Sequence, residues 1–256
     1  MKIIESRNNP IIKKALKVAR DSKGQSGLFI VEGEKLIREA LKSGAVAETF
    51  FRTRSTRLNI PELADISIEI PPVLFRELST VTSPSDAICL FRYSRPQNFE
   101  EALAGANMLV VIDRLQDPGN LGTIFRTAEA MGVQAIALLK GSCSHLNPKS
   151  IRAAMGSAFR LSIFSDLEFH DLKRLLIKYD FSAICADMSG QSLYSFSFPD
   201  RTALFFGQEG RGLAEEIKKE CTIRLAIPMQ GQVESLNVAT SASICLYEWA
   251  KQQSKI

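Results

Sequence analysis

From Met108 onward the chain alternates short apolar runs with longer amphipathic segments, and this alternation limits the folds open to it more than any other feature. Runs at Leu109–Asp113, Ala135–Leu139, Ser182–Ala186, Thr202–Phe206 and Thr222–Ile227 read as strands. Segments at Gly122–Met131, Pro148–Met155, Leu167–Tyr179, Leu213–Lys219 and Ser235–Gln252 read as helices. Strands that are apolar throughout and separated by helices predict a parallel sheet covered on both faces. Ligands of such sheets collect beyond the carboxyl ends of the strands. The fold class is therefore α/β, and drawn from these elements alone the sheet is doubly wound and unknotted.

The first hundred residues predict a smaller α/β unit. Pro10–Arg20 is a helix with Ile11, Ile12, Leu16 and Ala19 on one side and Lys13, Lys14, Lys17 and Arg20 elsewhere. Leu28–Val31, Ala47–Phe51 and Ala87–Arg92 are strands, Gly33–Lys42 is a helix ended by Gly44, and a third helix falls around Val73–Leu78. Ser94–Gly105, with Pro96 and polar neighbours, is the expected linker. The division is thus 1–97 and 106–256.

Charge separates the two parts. Residues 1–57 hold 13 Lys and Arg against 6 Asp and Glu, whereas the whole chain of 256 residues carries a net charge of only +4. A basic end on a near-neutral body suits an anionic partner such as nucleic acid, although a solvated helix face with spare lysines leaves the same trace. The five cysteines are scattered, with no C-x-x-C and no Cys/His cluster, which excludes a zinc motif and a disulfide framework. No apolar run approaches the ~20 residues of a membrane span, and MKIIESRNNPIIKK lacks the features of a signal peptide. A reducing cytoplasm is the expected location.

Three loops at strand ends carry unusual residues. In DPGNLGTIFRTAEAMG, Asp117-Pro118-Gly119 is turn chemistry, Asn120 sits where a helix N-cap is wanted, and Arg126 and Glu129 lie together off the apolar stripe. In FFGQEGRGL, Gly207, Gly210 and Gly212 surround Glu209 and let backbone approach a ligand closely. In IPMQGQVESLNVATSASICLYE, Ser235 is the expected cap of the last helix, Asn237 follows in its first turn, and Ile227, Met229 and Leu236 offer apolar contact to a flat ring. None of the three is the G-x-G-x-x-G of a dinucleotide site. Each alone also reads as an ordinary turn or capped helix.

Together and in this order, the loops resemble the three motifs of the SpoU/TrmH family of RNA ribose methyltransferases, over roughly residues 106–253. NPKSIRAAMGSAF, Asn147–Phe159, is also similar to that family. FIVEGEKLIREAL, Phe29–Leu41, resembles the ribosomal-protein-like substrate-binding domain often placed ahead of it.

The resemblance implies S-adenosyl-L-methionine as methyl donor and a ribose 2′-hydroxyl of ribosomal or transfer RNA as acceptor; ribosomal RNA is the expected substrate, with transfer RNA the alternative. It implies that Gly207, Ile227 and Leu236 contact the cofactor. It assigns catalysis to Arg126 and gives Asn120, Glu209, Ser235 and Asn237 the other polar positions of the site. It further implies a C-terminal trefoil knot of the SPOUT type and a homodimer. Gln208 stands where the motif has a small residue, and Ser162 where it commonly has Pro.

The family resemblance gives proton removal to Arg126, but a guanidinium is a cation near neutral pH, so Arg126 is expected mainly as a clamp on phosphate and developing alkoxide, and Glu209 is the alternative proton acceptor. His145 and His170 are expected at the surface, and Phe125 and Trp249 in the core or a dimer contact. Two other classes stay open here. One is an RNA-binding protein without catalysis; the other is a nicotinamide or flavin oxidoreductase.

Overall fold

The computed structural model describes residues 2–21, 24, 26–85, 87–93, 98–233 and 235–253. In chain order its elements are β1 (Lys2–Ile3), α1 (Pro10–Ala19), β2 (Leu28–Glu32), α2 (Glu34–Lys42), β3 (Val46–Arg52), β4 (Ser67–Glu69), α3 (Pro72–Leu78) and β5 (Ile88–Arg92). There follow α4 (Phe99–Ala104), β6 (Met108–Ile112), α5 (Pro118–Ala130), β7 (Ala135–Leu139), α6 (Pro148–Ala154), β8 (Ser162–Leu167) and α7 (Phe169–Lys178). The chain ends with β9 (Ser182–Ser192), β10 (Thr202–Phe206), α8 (Glu215–Glu220), β11 (Ile223–Ala226) and α9 (Val238–Gln252).

Two compact units form. The first joins Met1–Arg95 with Ser144–Phe159, and the second joins Pro96–Cys143 with Arg160–Ile256. The segment carrying α6 therefore belongs with the first unit, because Leu146, Ile151 and Phe159 pack among Phe29, Val31, Ile37 and Phe91.

The first unit has a mixed sheet ordered β1-β4-β3-β5-β2, with β5 antiparallel to both neighbours. Alternation along β2 sends Leu28 and Ile30 to one cluster and Phe29 and Val31 to another, so helices cover both faces. In α1, Pro10 takes the first position and Asn9 Oδ1 accepts from Ile11 N at 2.9 Å. Of its expected apolar side, Ile12 and Leu16 are buried, while Ile11 and Ala19 are partly so. His145, expected at the surface, is buried against the Tyr93 ring, 4.8 Å between centroids.

The second unit holds six parallel strands ordered β11-β9-β10-β6-β7-β8. Leu109 and Val111 of β6 pack toward one face, with Leu103 of α4, Leu172 and Leu176 of α7 and Ile217 of α8. The intervening Val110 and Ile112 take the opposite face by strand alternation. There α5 and α9 lie together, and Thr127 Oγ1 meets Ser243 Oγ at 3.0 Å. Phe125 and Trp249 are fully buried, as core residues.

The expected linker needs correction. Its first residues, 94–97, lie outside the described ones, but from Asn98 it folds. Asn98 Oδ1 accepts from Glu100 N at 3.0 Å to start α4, and Leu103 reaches the core. The strands β1, β4 and β8 were also not expected. β1 and β4 are short, and at the sheet edge SIFSDL of β8 carries only Ile163 and Phe164 as buried residues.

Candidate functional site

Adjacent strands β6 and β10 send the chain opposite ways. From β6 it passes through α5 to β7, and from β10 through α8 to β11 beyond β9. At such a switch point the loops separate and leave a crevice at the carboxyl ends of the strands.

Asp113 follows the last residue of β6. Its backbone N donates to Phe206 O at 2.9 Å, and its side chain is almost wholly buried. Oδ2 accepts from Ala214 N at 2.9 Å, while Arg114 donates to both carboxylate oxygens at 3.0 Å. One carboxylate thereby fastens the loop after β6 to the loop after β10, and the charge-assisted bonds offset its burial. Asp113 was not among the expected site residues. Its signal in the sequence is a lone carboxylate at the end of the apolar run LVVI.

The loop after β6 departs from expectation at its cap. Asp117, not Asn120, is the N-cap of α5; its Oδ1 accepts from Asn120 N at 2.8 Å. Pro118 fits the first helical position because its missing N–H is not needed there. The helix therefore starts earlier, and the Asn120 side chain, released from capping, is available to the site.

The loop after β10 is closed tightly. Gln208 N donates to Gly212 O at 3.1 Å and Gly212 N to Gln208 O at 2.8 Å. A Cβ at Gly207 would stand 2.2 Å from the Gly212 carbonyl carbon, so this crossing admits only glycine. Gly210 and Gly212 take φ of +79° and +66°, the left-handed region. Glu209 is thereby held at an exposed tip.

In the third loop Asn237, not Ser235, caps α9. Its Oδ1 accepts from Ala239 N at 2.9 Å and Thr240 N at 3.3 Å. Ser235 lies before the helix and is exposed, while Ile227 and Leu236 are half-buried.

The three loops meet through side chains. Asn237 Nδ2 donates to Asn120 Oδ1 at 3.1 Å, and Asn120 Nδ2 donates to Glu209 Oε1. Residues far apart in the chain so form one hydrogen-bonded row, a carboxylate oriented by two amides. Arg126 is not part of it. It is exposed on α5 and makes no hydrogen bond or ion pair among the described residues. Its expected neighbour Glu129 is held by Arg160 instead, which reaches both carboxylate oxygens. No hydrogen bond links Ser235 to the row among the described residues. No group of three or more potential metal ligands occurs among them either.

Residues 107–247 match the model of the SpoU rRNA Methylase family. The chain is similar to the 23S rRNA (guanosine(2553)-2′-O)-methyltransferase RlmP of Bacillus subtilis, 32% identical over 96% of this chain and 98% of that one. It is similar over a shorter span to the 23S rRNA (guanosine-2′-O-)-methyltransferase RlmB of Neisseria meningitidis, 36% identical over 60% of this chain and 62% of that one. The AdoMet-bound rRNA methyltransferase from Sinorhizobium meliloti superposes with a TM-score of 0.84, at 25% identity and over 98% of both chains. With a matching parallel sheet and family motifs meeting at its switch point, the chain belongs to the SpoU rRNA methylase family.

Proposed function

We propose that this protein transfers the methyl group of S-adenosyl-L-methionine to a ribose 2′-hydroxyl of ribosomal RNA. The observation that carries the proposal is the row Asn237–Asn120–Glu209 at the switch point, in a chain similar over nearly its whole length to a 23S rRNA 2′-O-methyltransferase. Neither binding RNA without catalysis nor a nicotinamide cofactor calls for this row.

The residues present fit the cofactor. Gly207 follows β10 and lets the Gly212 backbone close tightly behind it, and the half-buried Ile227 and Leu236 provide apolar contact for an adenine. S-adenosyl-L-methionine supplies, when bound, a methyl group on a sulfonium centre. The protein's share is to hold the 2′-oxygen in line, about 3 Å away, and to take its proton. Glu209 has Oε1 occupied by Asn120, which leaves Oε2 to accept that proton. Asn120 is fixed at its backbone by Asp117 and at its side chain by Asn237. Arg126, with no partner among the described residues, supplies the cation for a substrate phosphate and for charge developing on the 2′-oxygen. Ser235, exposed two residues ahead of the Asn237 cap, completes the polar positions of the reading.

The same reading gives residues 1–97 the binding of the RNA substrate. It also makes the molecule a homodimer. Tyr194 and Tyr247, 86% and 54% exposed, border a groove of about 370 Å³ that includes Leu193 and Ile244, an apolar surface suited to burial against a second copy. The trefoil knot belongs to this reading too. The work is placed in the cytoplasm, where ribosomal RNA and the methyl donor occur together.

The test is incubation of the purified protein with deproteinised 23S rRNA and methyl-labelled S-adenosyl-L-methionine. Label is expected on a ribose 2′-oxygen and is expected to fall about a hundredfold with Glu209→Gln. Absence of label from every RNA, or label on a base, overturns the proposal.

A further inference from the structure

Two sequence motifs have no part in the row at the switch point: FIVEGEKLIREAL and NPKSIRAAMGSAF. Within the first unit they meet at one place. Glu32, the last residue of β2, is 8% exposed and accepts four hydrogen bonds from the turn after α3. These come from Ser79 Oγ at 2.8 Å, Thr80 N at 2.9 Å, Ser85 N at 3.1 Å and Thr80 Oγ1 at 3.3 Å. Arg152 of α6 donates through one terminal nitrogen to Thr80 Oγ1 at 2.8 Å.

The arrangement differs from a buried ion pair closed on itself. Glu32 already receives the turn's donors, and Arg152 makes one hydrogen bond among the described residues. A guanidinium carries five N–H donors, so most of its fork is left over. Glu32 still offsets the partial burial of Arg152 electrostatically. The carboxylate thus shapes the turn and holds the cation in place without consuming its donors.

Beside this anchored cation lies a cavity of about 360 Å³, lined by Arg20, Ser79, Thr80, Asn147, Lys149 and Arg152. Glu77, which also borders it, is paired with Arg7 at 2.7 Å. The Arg20 side chain is exposed and makes no hydrogen bond or ion pair among the described residues. Asn147 Oδ1 caps α6 by accepting from Lys149 N at 2.8 Å. The Ser79 and Thr80 hydroxyls, whose hydrogens go to Glu32, only shape the wall; three cations beside one paired carboxylate make a recess for an anion with several acceptor oxygens.

We infer that this recess binds a backbone phosphodiester of the RNA substrate, with Arg152 as its fixed donor and Arg20 and Lys149 as its flanking cations. The inference rests on the proposed RNA methyltransferase activity and names where the first unit grips the same substrate. A phosphodiester fits better than a base, since the lining offers donors and positive charge but little apolar surface for stacking. Inorganic phosphate shares the chemistry, and the experiment separates the two.

The test measures binding of fluorescently labelled 23S rRNA fragments and of inorganic pyrophosphate to the full chain, for Arg20→Glu, Arg152→Gln and a control, Arg54→Glu. Arg54 is exposed on the same unit and outside the recess. Arg20→Glu and Arg152→Gln are each expected to weaken RNA binding about tenfold and to flatten its salt dependence by roughly one phosphate contact. KM for RNA rises correspondingly, with kcat and affinity for S-adenosyl-L-methionine unchanged. Arg20, being exposed, tests the recess even if Arg152→Gln disturbs the turn.

Equal weakening by Arg54→Glu, or RNA binding unchanged in both recess variants, overturns the inference. So does tight pyrophosphate binding that the recess variants abolish while RNA binding persists. Failure of the wild-type protein to methylate any RNA defeats the proposed activity alone, because the RNA-binding comparison still decides the recess.

Discussion

Asn237 donates its side-chain amide to Asn120 Oδ1 at 3.1 Å while its own Oδ1 caps α9. One residue thus both begins the last helix and orients the row that ends on Glu209. The two duties are separable by substitution. Asn237→Asp keeps an acceptor for the cap but loses the donor to Asn120, so methyl transfer is expected to fall at least tenfold with little change in Tm. Asn237→Ala loses both and is expected to cost about 1 kcal/mol of stability as well. Thermal unfolding alongside labelled-methyl transfer reads the difference.

Glu209→Gln preserves the shape of the loop tip and its contact with Asn120 but removes the proton acceptor. Transfer is expected to drop by about a hundredfold. Calorimetric affinity for S-adenosyl-L-methionine is expected to stay within a factor of two or so. Weakened cofactor affinity with unchanged turnover would instead make Glu209 a binding residue.

Arg126→Lys tests whether a planar, forked cation is required. The side chain is exposed and has no partner among the described residues, so folding is expected to be unaffected. Turnover is expected to fall about tenfold or more, because an ammonium cannot grip a phosphate in the bidentate way. Full activity with a shifted pH profile would transfer the proton-handling role to this position.

Asp113→Ala leaves Ala214 N without its acceptor and Arg114, whose side chain is 43% exposed, without its carboxylate. Losing such a partner costs about 1–3 kcal/mol. The loop carrying Glu209 is expected to loosen, so cofactor affinity falls together with Tm. Hydrogen exchange at Gln208 and Gly212 is the direct measurement.

Burial pushes the Cys245 thiol up from 9.0 to about 12. In the unfolded chain this thiol ionises near its ordinary value, while the folded one stays protonated. Its contribution to stability is therefore complete below pH 9 and is lost as pH rises toward 12. Urea midpoints are expected to decline across that window, less steeply for Cys245→Ala than for the unaltered protein.

Much of the architecture was legible in the chain itself. Five of the six parallel strands stand out, and β6, β7 and β10 do so most because runs such as LVVI are buried on both faces and leave almost no polar residue to obscure them. β8 escaped because SIFSDL buries only two of its residues at a sheet edge. The linker was misread because α4 is short and contributes little more than Leu103 to the core. Cap positions were misjudged at two helices. Several residues near a helix start can cap it, and the choice depends on which side chain a distant loop claims.

The sequence by itself determined the α/β class, the parallel sheet, and the glycines and polar residues of its three loops, since strand burial, turn chemistry and motif order are written locally. Only the tertiary structure decided that Asn120 leaves its cap to join Glu209 and Asn237, that Asp113 ties two loops, and that Arg152 lies beside Glu32 across the first unit. These are meetings between residues as far as 120 positions apart, as Glu32 and Arg152 are. Such contacts depend on strand order and crossover direction, which periodicity along a chain does not encode.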